Sequence, residues 1–119
     1  KDNLWYVNMD GRAVFKFATK AVTKSIERVM ESAGVKPEEI KYVVPHQANA
    51  RIVDIISRKL GISNEKCYRN MAEYGNTSSA SIPIVLNELN EKGLIERGDK
   101  LLLTGFGGGM TWGTMLISW

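Results

Sequence analysis

The sequence predicts a single α/β domain of five strands and three main helices, with residues 1–119 forming one unit. Short runs of β-branched and aliphatic residues alternate with stretches whose apolar residues recur every three or four positions. Gly34, Gly61 and Gly93 follow those stretches, where helices end. The length of 119 residues, with 44% hydrophobic and 24% charged residues, suits one soluble core and excludes general disorder.

Leu4-Trp5-Tyr6-Val7 reads as the first strand. Asp10 is the predicted N-cap of a helix whose stripe is Val14, Phe17, Ala18, Ala21, Val22, Ser25, Ile26, Val29, Met30 and Ala33. That is about five turns, stopped by Gly34. Pro37-Glu38-Glu39 gives one helical turn, and Ile40 to Val44 the second strand, closed by Pro45. A second helix runs from Ala48 to Leu60 and buries Ile52, Ile55, Ile56 and Leu60. Cys67-Tyr68 reads as a short strand. The third helix carries Ile82, Val85, Leu86 and Leu89, with Pro83 in its first turn, where a missing N–H is harmless. Leu101 to Thr104 is the fourth strand, Gly105 to Gly109 a loop, and Thr111 to Trp119 the last strand.

Composition removes several function classes. No apolar run approaches the roughly 18 residues of a membrane span. The single Cys67 excludes an internal disulfide framework and favours a reducing, cytoplasmic setting. One His and one Cys cannot build a four-ligand zinc site, so no metal is expected. A net charge of +3 favours acidic partners, but the basic residues show no aromatic interleaving, which argues against nucleic acid. The chain begins with Lys1 in place of Met, read as a processed chain or a fragment of a longer one.

Three loops can carry chemistry. In Pro45-His46-Gln47-Ala48-Asn49, the only histidine follows the end of a strand and precedes a helix, where open α/β sheets bind ligands. An imidazole there either donates to a developing oxyanion or caps the following helix. In Tyr74-Gly75-Asn76-Thr77-Ser78-Ser79-Ala80-Ser81, the hydroxyls read as helix caps. Asn76 is either a turn residue or a carboxamide with two directed donors. In Gly105-Phe106-Gly107-Gly108-Gly109, four glycines in five residues imply positive φ or close backbone approach. Met110 stands where a dinucleotide fingerprint needs glycine, and no Gly-Lys-Ser/Thr follows as in a P-loop. Exposed backbone N–H groups there suit an oxyanion hole. Arg51 and Arg58, seven apart, share one side of the second helix, with Lys59 beside them and Lys16 in the first helix. They form either a solvated face or a dock for an acidic protein.

Taken in order, Val43-Val44-Pro45-His46-Gln47-Ala48-Asn49, Tyr74-Gly75-Asn76-Thr77-Ser78 with Ala80-Ser81-Ile82-Pro83, and Gly105-Phe106-Gly107-Gly108-Gly109 with Thr111-Trp112-Gly113 resemble the β-ketoacyl-acyl-carrier-protein synthase III family, condensing enzymes that start bacterial fatty-acid synthesis. Gly11-Arg12-Ala13-Val14-Phe15-Lys16 extends the likeness over nearly the whole chain. The resemblance covers the C-terminal half only, one half of the thiolase fold, a five-stranded mixed sheet with helices packed on it. It implies that the nucleophilic cysteine belongs to the absent N-terminal half. Cys67, in a Lys-Cys-Tyr-Arg context, does not match it.

The resemblance further implies that His46 and Asn76 stabilise the thioester enolate left by malonyl decarboxylation, and that the backbone N–H of Gly108 meets the later oxyanion. Gly11, Phe15, Ala48 and Asn49 line the pantetheine tunnel, and Phe106 packs near the reacting centre. Lys16, Arg51, Arg58 and Lys59 dock the acyl carrier protein. The implied partners are acyl carrier protein, a coenzyme A thioester and the N-terminal half of the same enzyme. No cofactor is implied, since acyl-CoA and malonyl-acyl carrier protein are substrates. An isolated half is expected to be inactive alone and to expose an apolar face, so a homodimer or a required partner chain is expected.

A polyketide-type condensing enzyme with the same His and Asn is the nearest alternative. A non-catalytic carrier-protein-binding domain is another, since the nucleophile is missing. A serine hydrolase built on Ser78 or Ser79 lacks the Gly-x-Ser-x-Gly elbow.

Overall fold

In the computed structural model, Tyr6 and residues 8–119 are described. The predicted strand Leu4–Val7 lies, but for Tyr6, outside them. Helix α1 (Gly11–Phe17) opens at Asp10, whose carboxylate accepts from the Arg12 and Ala13 backbone N–H groups, as the sequence predicts. It continues through a π-helical segment (Ala18–Val22) into α2 (Thr23–Ala33), which ends on left-handed Gly34. The π segment departs from the regular five-turn helix expected. Here the Thr19 carbonyl accepts from Thr23 Oγ1 at 2.9 Å and from Lys59 Nζ at 3.0 Å, side-chain donors that a widened turn can accommodate.

Strand β1 (Ile40–Pro45) follows a 3₁₀ turn over Pro37–Glu39. Helix α3 (Ala50–Leu60) starts two residues later than expected, because the Asn49 side chain accepts the Arg51 N–H and serves as N-cap. It ends on left-handed Gly61. A short α4 (Met71–Tyr74) and a 3₁₀ turn (Ser78–Ala80) precede α5 (Ser81–Glu91), which holds Pro83 in its first turn. The hydroxyls before α5 do not cap it: Ala80 stands at the N-cap, and no side chain bonds there.

The sheet has three strands among the described residues, ordered β1-β2-β3, which corrects the five-stranded expectation. Strand β1 runs parallel to β2 (Lys100–Gly107), and β2 antiparallel to β3 (Thr111–Ser118). Mixed pairing is therefore present. Cys67 makes only an isolated bridge to Val43, with the Tyr68 N–H donating to the Val43 carbonyl, and the chain then turns away. The predicted glycine loop also shrinks: Gly105, Phe106 and Gly107 belong to β2 and pair with Gly113, Trp112 and Thr111. Ladder hydrogen bonds outweigh the weak strand propensity of glycine here.

Strands β1 and β2 are covered on both faces and read as near-continuous apolar runs, while β3 is largely exposed. Val43 and Leu102 pack with Val22, Ile26, Ile52 and Ile56 under α2 and α3. Val44 and Leu101 point to the opposite face, against Val85 and Leu89 of α5.

Candidate functional site

Three chain segments meet at the carboxyl end of β1. Strand β1 ends at Pro45, and His46 is fixed at once by its backbone N–H, which donates to the Thr104 carbonyl of β2 at 2.8 Å. The His46 ring is half-buried and meets Phe106 edge to face, with centroids 5.3 Å apart. On its other side, Nδ1 lies 2.6 Å from Ser81 Oγ, at the first turn of α5. Burial lowers the imidazole pKa, favouring the neutral ring near pH 7. The helix-capping reading of His46 is overturned, since Asn49 holds that position.

Gln47 is nearly fully buried and ties this turn to the next loop. Its Nε2 donates to the Pro45 and Tyr68 carbonyls, and its Oε1 accepts the Asn70 N–H. Every polar atom of the carboxamide is thus engaged, which locks the backbone on which His46 sits.

A cavity of about 460 Å³ opens here, lined by His46, Ser78, Ser79, Ser81, Ile82, Phe106, Trp112 and the backbone of Gly105, Gly107 and Gly113. The structure thus brings together His46, Phe106 and the glycine segment. Asn76 is exposed on the loop that leads to Ser78 and is not among the lining residues. Its Oδ1 accepts the Ser78 N–H at 3.0 Å, and among the described residues Nδ2 has no partner. Gly108 sits in the turn between β2 and β3, and its carbonyl accepts from Thr111 Oγ1.

The glycines answer the φ expectation in part. Gly109 has φ of 127° and would bring a Cβ to 2.8 Å of Thr111 Cγ2. At Gly107 and Gly108 a Cβ would meet nothing within 4 Å. Among the described residues nothing requires glycine at those two positions.

The remaining expected site residues occupy the α1 and α3 ends. Gly11 begins α1, and Phe15 is partly buried against the core. Ala48 donates its N–H to the His46 carbonyl, and Asn49 is the α3 cap. Lys16, Arg51 and Arg58 are exposed, with Lys16 in the last turn of α1. Lys59 is exposed as well, and its Nζ also donates to the Thr19 carbonyl. Ser81, Gln47 and Trp112 are the site residues that sequence reasoning missed as such. A larger groove of about 820 Å³ runs along α2 and shares only Trp112 with the site.

Cys67 is buried at 2% exposure, and burial pushes its thiol up to about 11. Burial thus favours the neutral thiol over the nucleophilic thiolate at neutral pH. Native protein should react with a thiol reagent at least tenfold more slowly than urea-unfolded protein, read by absorbance. Equal rates would show an accessible thiolate.

The family model described as 3-oxoacyl-[acyl-carrier-protein (ACP)] synthase III C terminal matches residues 30–119. Beta-ketoacyl-[acyl-carrier-protein] synthase III of Clostridium acetobutylicum is 50% identical over 113 residues, which cover 95% of this chain and 35% of that protein. The Aquifex aeolicus enzyme of the same name is 49% identical over 116 residues, covering 98% of this chain and 38% of that protein. The crystal structure of 3-oxoacyl-[acyl-carrier-protein] synthase III from Aquifex aeolicus matches with a TM-score of 0.95 at 48% identity, over 99% of this chain and 38% of that chain. The Thermus thermophilus structure matches with a TM-score of 0.90 at 45% identity, over 94% and 35%. The chain spans about a third of the length of the curated relatives it matches. The family model covers most of the chain and the fold matches that of the solved relatives, so the chain belongs to the 3-oxoacyl-[acyl-carrier-protein] synthase III C-terminal family.

Proposed function

We propose that residues 1–119 form the C-terminal part of a fatty-acid-initiating 3-oxoacyl-[acyl-carrier-protein] synthase III, an acyltransferase. The complementary part supplies a cysteine thiolate that attacks an acyl-CoA and expels the coenzyme A thiolate. Malonyl-acyl carrier protein then loses CO₂, and the electron pair of the broken C–C bond becomes a thioester enolate. The enolate carbon attacks the acyl-cysteine carbonyl, and the resulting tetrahedral oxyanion collapses to expel the cysteine thiolate. The reaction as written needs no bound cofactor. Decarboxylation generates the carbanion, so no side chain has to take a proton from carbon.

His46 Nε2 and Asn76 Nδ2 are the donors assigned to the enolate oxygen, and the Gly108 N–H to the later oxyanion. The observation that carries this reading is the cavity in which the His46 loop, the loop leading to α5 and the glycine-rich end of β2 meet. The open space at Gly107 and Gly108 supports it, since a thioester can approach that backbone. Gly11, Phe15, Ala48 and Asn49 are assigned to the pantetheine path, and Phe106 to the wall beside the reacting carbon. Self-association as a homodimer and a cytoplasmic location belong to the same reading.

The exposed Lys16, Arg51, Arg58 and Lys59 are assigned to carrier-protein docking, Lys59 also donating to the Thr19 carbonyl of the π segment. Joined to the complementary part, the chain should release CO₂ from a malonyl thioester. Alone, it should gain no acyl mass from acyl-CoA. Arg51→Glu with Arg58→Glu should raise KM for malonyl-acyl carrier protein about tenfold and flatten its salt dependence. Decarboxylation of malonyl-CoA should be nearly unchanged. Equal loss with both substrates would place the two arginines outside carrier-protein docking.

A further inference from the structure

We propose that Ser81 is a positioning residue that fixes His46 in the tautomer bearing its proton on Nε2. The inference deepens the functional reading above but stands on contacts within this chain. Ser81 is 2% exposed, and its hydroxyl makes two contacts: His46 Nδ1 at 2.6 Å and the Gln47 backbone N–H at 3.3 Å. The Gln47 N–H can only donate, so the hydroxyl oxygen accepts there. One hydroxyl proton remains. Among the described residues its one acceptor within reach is His46 Nδ1.

The opposite tautomer would put a proton on Nδ1. Ser81 Oγ would then accept twice, and its own proton would be buried without a partner. With Ser81 donating, the chain Gln47 N–H to Ser81 Oγ, then Ser81 O–H to His46 Nδ1, satisfies every atom. Nε2–H is left as the donor available to a ligand. Among the described residues no carboxylate or cation takes part: the ring is packed by Phe106, the Thr104 carbonyl holds its backbone, and burial lowers its pKa. A neutral hydroxyl orients the imidazole without raising its basicity. That suits a group that must donate a hydrogen bond and keep its proton.

His46 is the only histidine of the chain, so with ¹⁵N-histidine placed in this chain alone and the chain joined to its unlabelled complementary part, its ring nitrogens are read without ambiguity by long-range ¹H–¹⁵N correlation at pH 8. The unsubstituted protein should show a protonated Nε2 and a bare, hydrogen-bonded Nδ1. A proton on Nδ1 overturns the inference before any variant is made. Ser81→Ala should give a mixture of tautomers, and Ser81→Thr, which keeps the hydroxyl, should restore the Nε2–H form. In the chain joined to its complementary part, Ser81→Ala should lower kcat for malonyl-thioester decarboxylation roughly 10–100-fold, with KM changed less than twofold. A Ser81→Ala protein with an unchanged tautomer and unchanged kcat contradicts the proposal. If the tautomer shifts as expected but the joined protein decarboxylates nothing, the functional reading fails and the positioning role stands.

Discussion

His46→Ala in the chain joined to its complementary part is expected to slow malonyl-thioester decarboxylation by roughly 10²–10³-fold, the usual effect of losing one preorganised oxyanion donor. Asn76→Ala should cost about as much. The physical reason is that charge appears on the thioester oxygen only as CO₂ leaves. A donor aimed at that oxygen therefore strengthens in the transition state, so the loss falls on kcat rather than KM. The neutral state of His46 suits this role: the half-buried ring resists protonation, and its Nδ1 is already taken by Ser81. Asn76 is held at its oxygen by the Ser78 N–H, and among the described residues its Nδ2 has no hydrogen-bond partner. The double variant should fall less than the product of the single losses if both donors serve one oxygen. Acylation of the nucleophilic cysteine by acyl-CoA should persist in all three variants, because it precedes decarboxylation. Loss of acylation in His46→Ala would assign the histidine to a different step.

Leu102→Ala should strongly destabilise the fold. Leu102 has no exposed surface and lies in β2, the middle strand of the three. It pairs with Val43 of β1 and Leu116 of β3, and belongs to the core under α2 and α3. Truncating such a leucine costs about 2–5 kcal/mol, from lost burial and the cavity left behind. Against a typical margin of 5–15 kcal/mol for a whole domain, that is a large share. The thermal midpoint should drop by roughly 10–20 °C. Lys41→Ala, on an exposed position of β1, should shift it by no more than about 2 °C. Similar shifts for both variants would place the core elsewhere.

The parts of the fold legible in the sequence are those decided locally. Asp10 caps α1 and Gly34 and Gly61 terminate helices because the signals lie within a few residues of the effect. The chemistry-bearing loops were legible for a similar reason: His46 follows its strand directly, and the glycines end β2. What the residues hid was long-range. The contact of Ser81 with His46 spans 35 positions, and the bond from Lys59 to the Thr19 carbonyl spans 40. No periodicity encodes either. Cys67-Tyr68 looked like a strand by composition, but only one residue pair bridges to β1. Gly105 to Gly107 looked like a loop, yet pairing with β3 extends the strand through them. Asn49, expected only along the pantetheine path, also caps α3, a role that its residue type and its place before a helix encode locally.

The central claim is that two neutral donors from different loops serve one oxygen. Its most direct measurement is a crystal structure of the chain joined to its complementary part, with a malonyl-thioester analogue that cannot lose CO₂. His46 Nε2 and Asn76 Nδ2 should each lie about 2.7–3.1 Å from the thioester oxygen. An oxygen held by His46 alone, with the Asn76 carboxamide turned to solvent, would contradict the account.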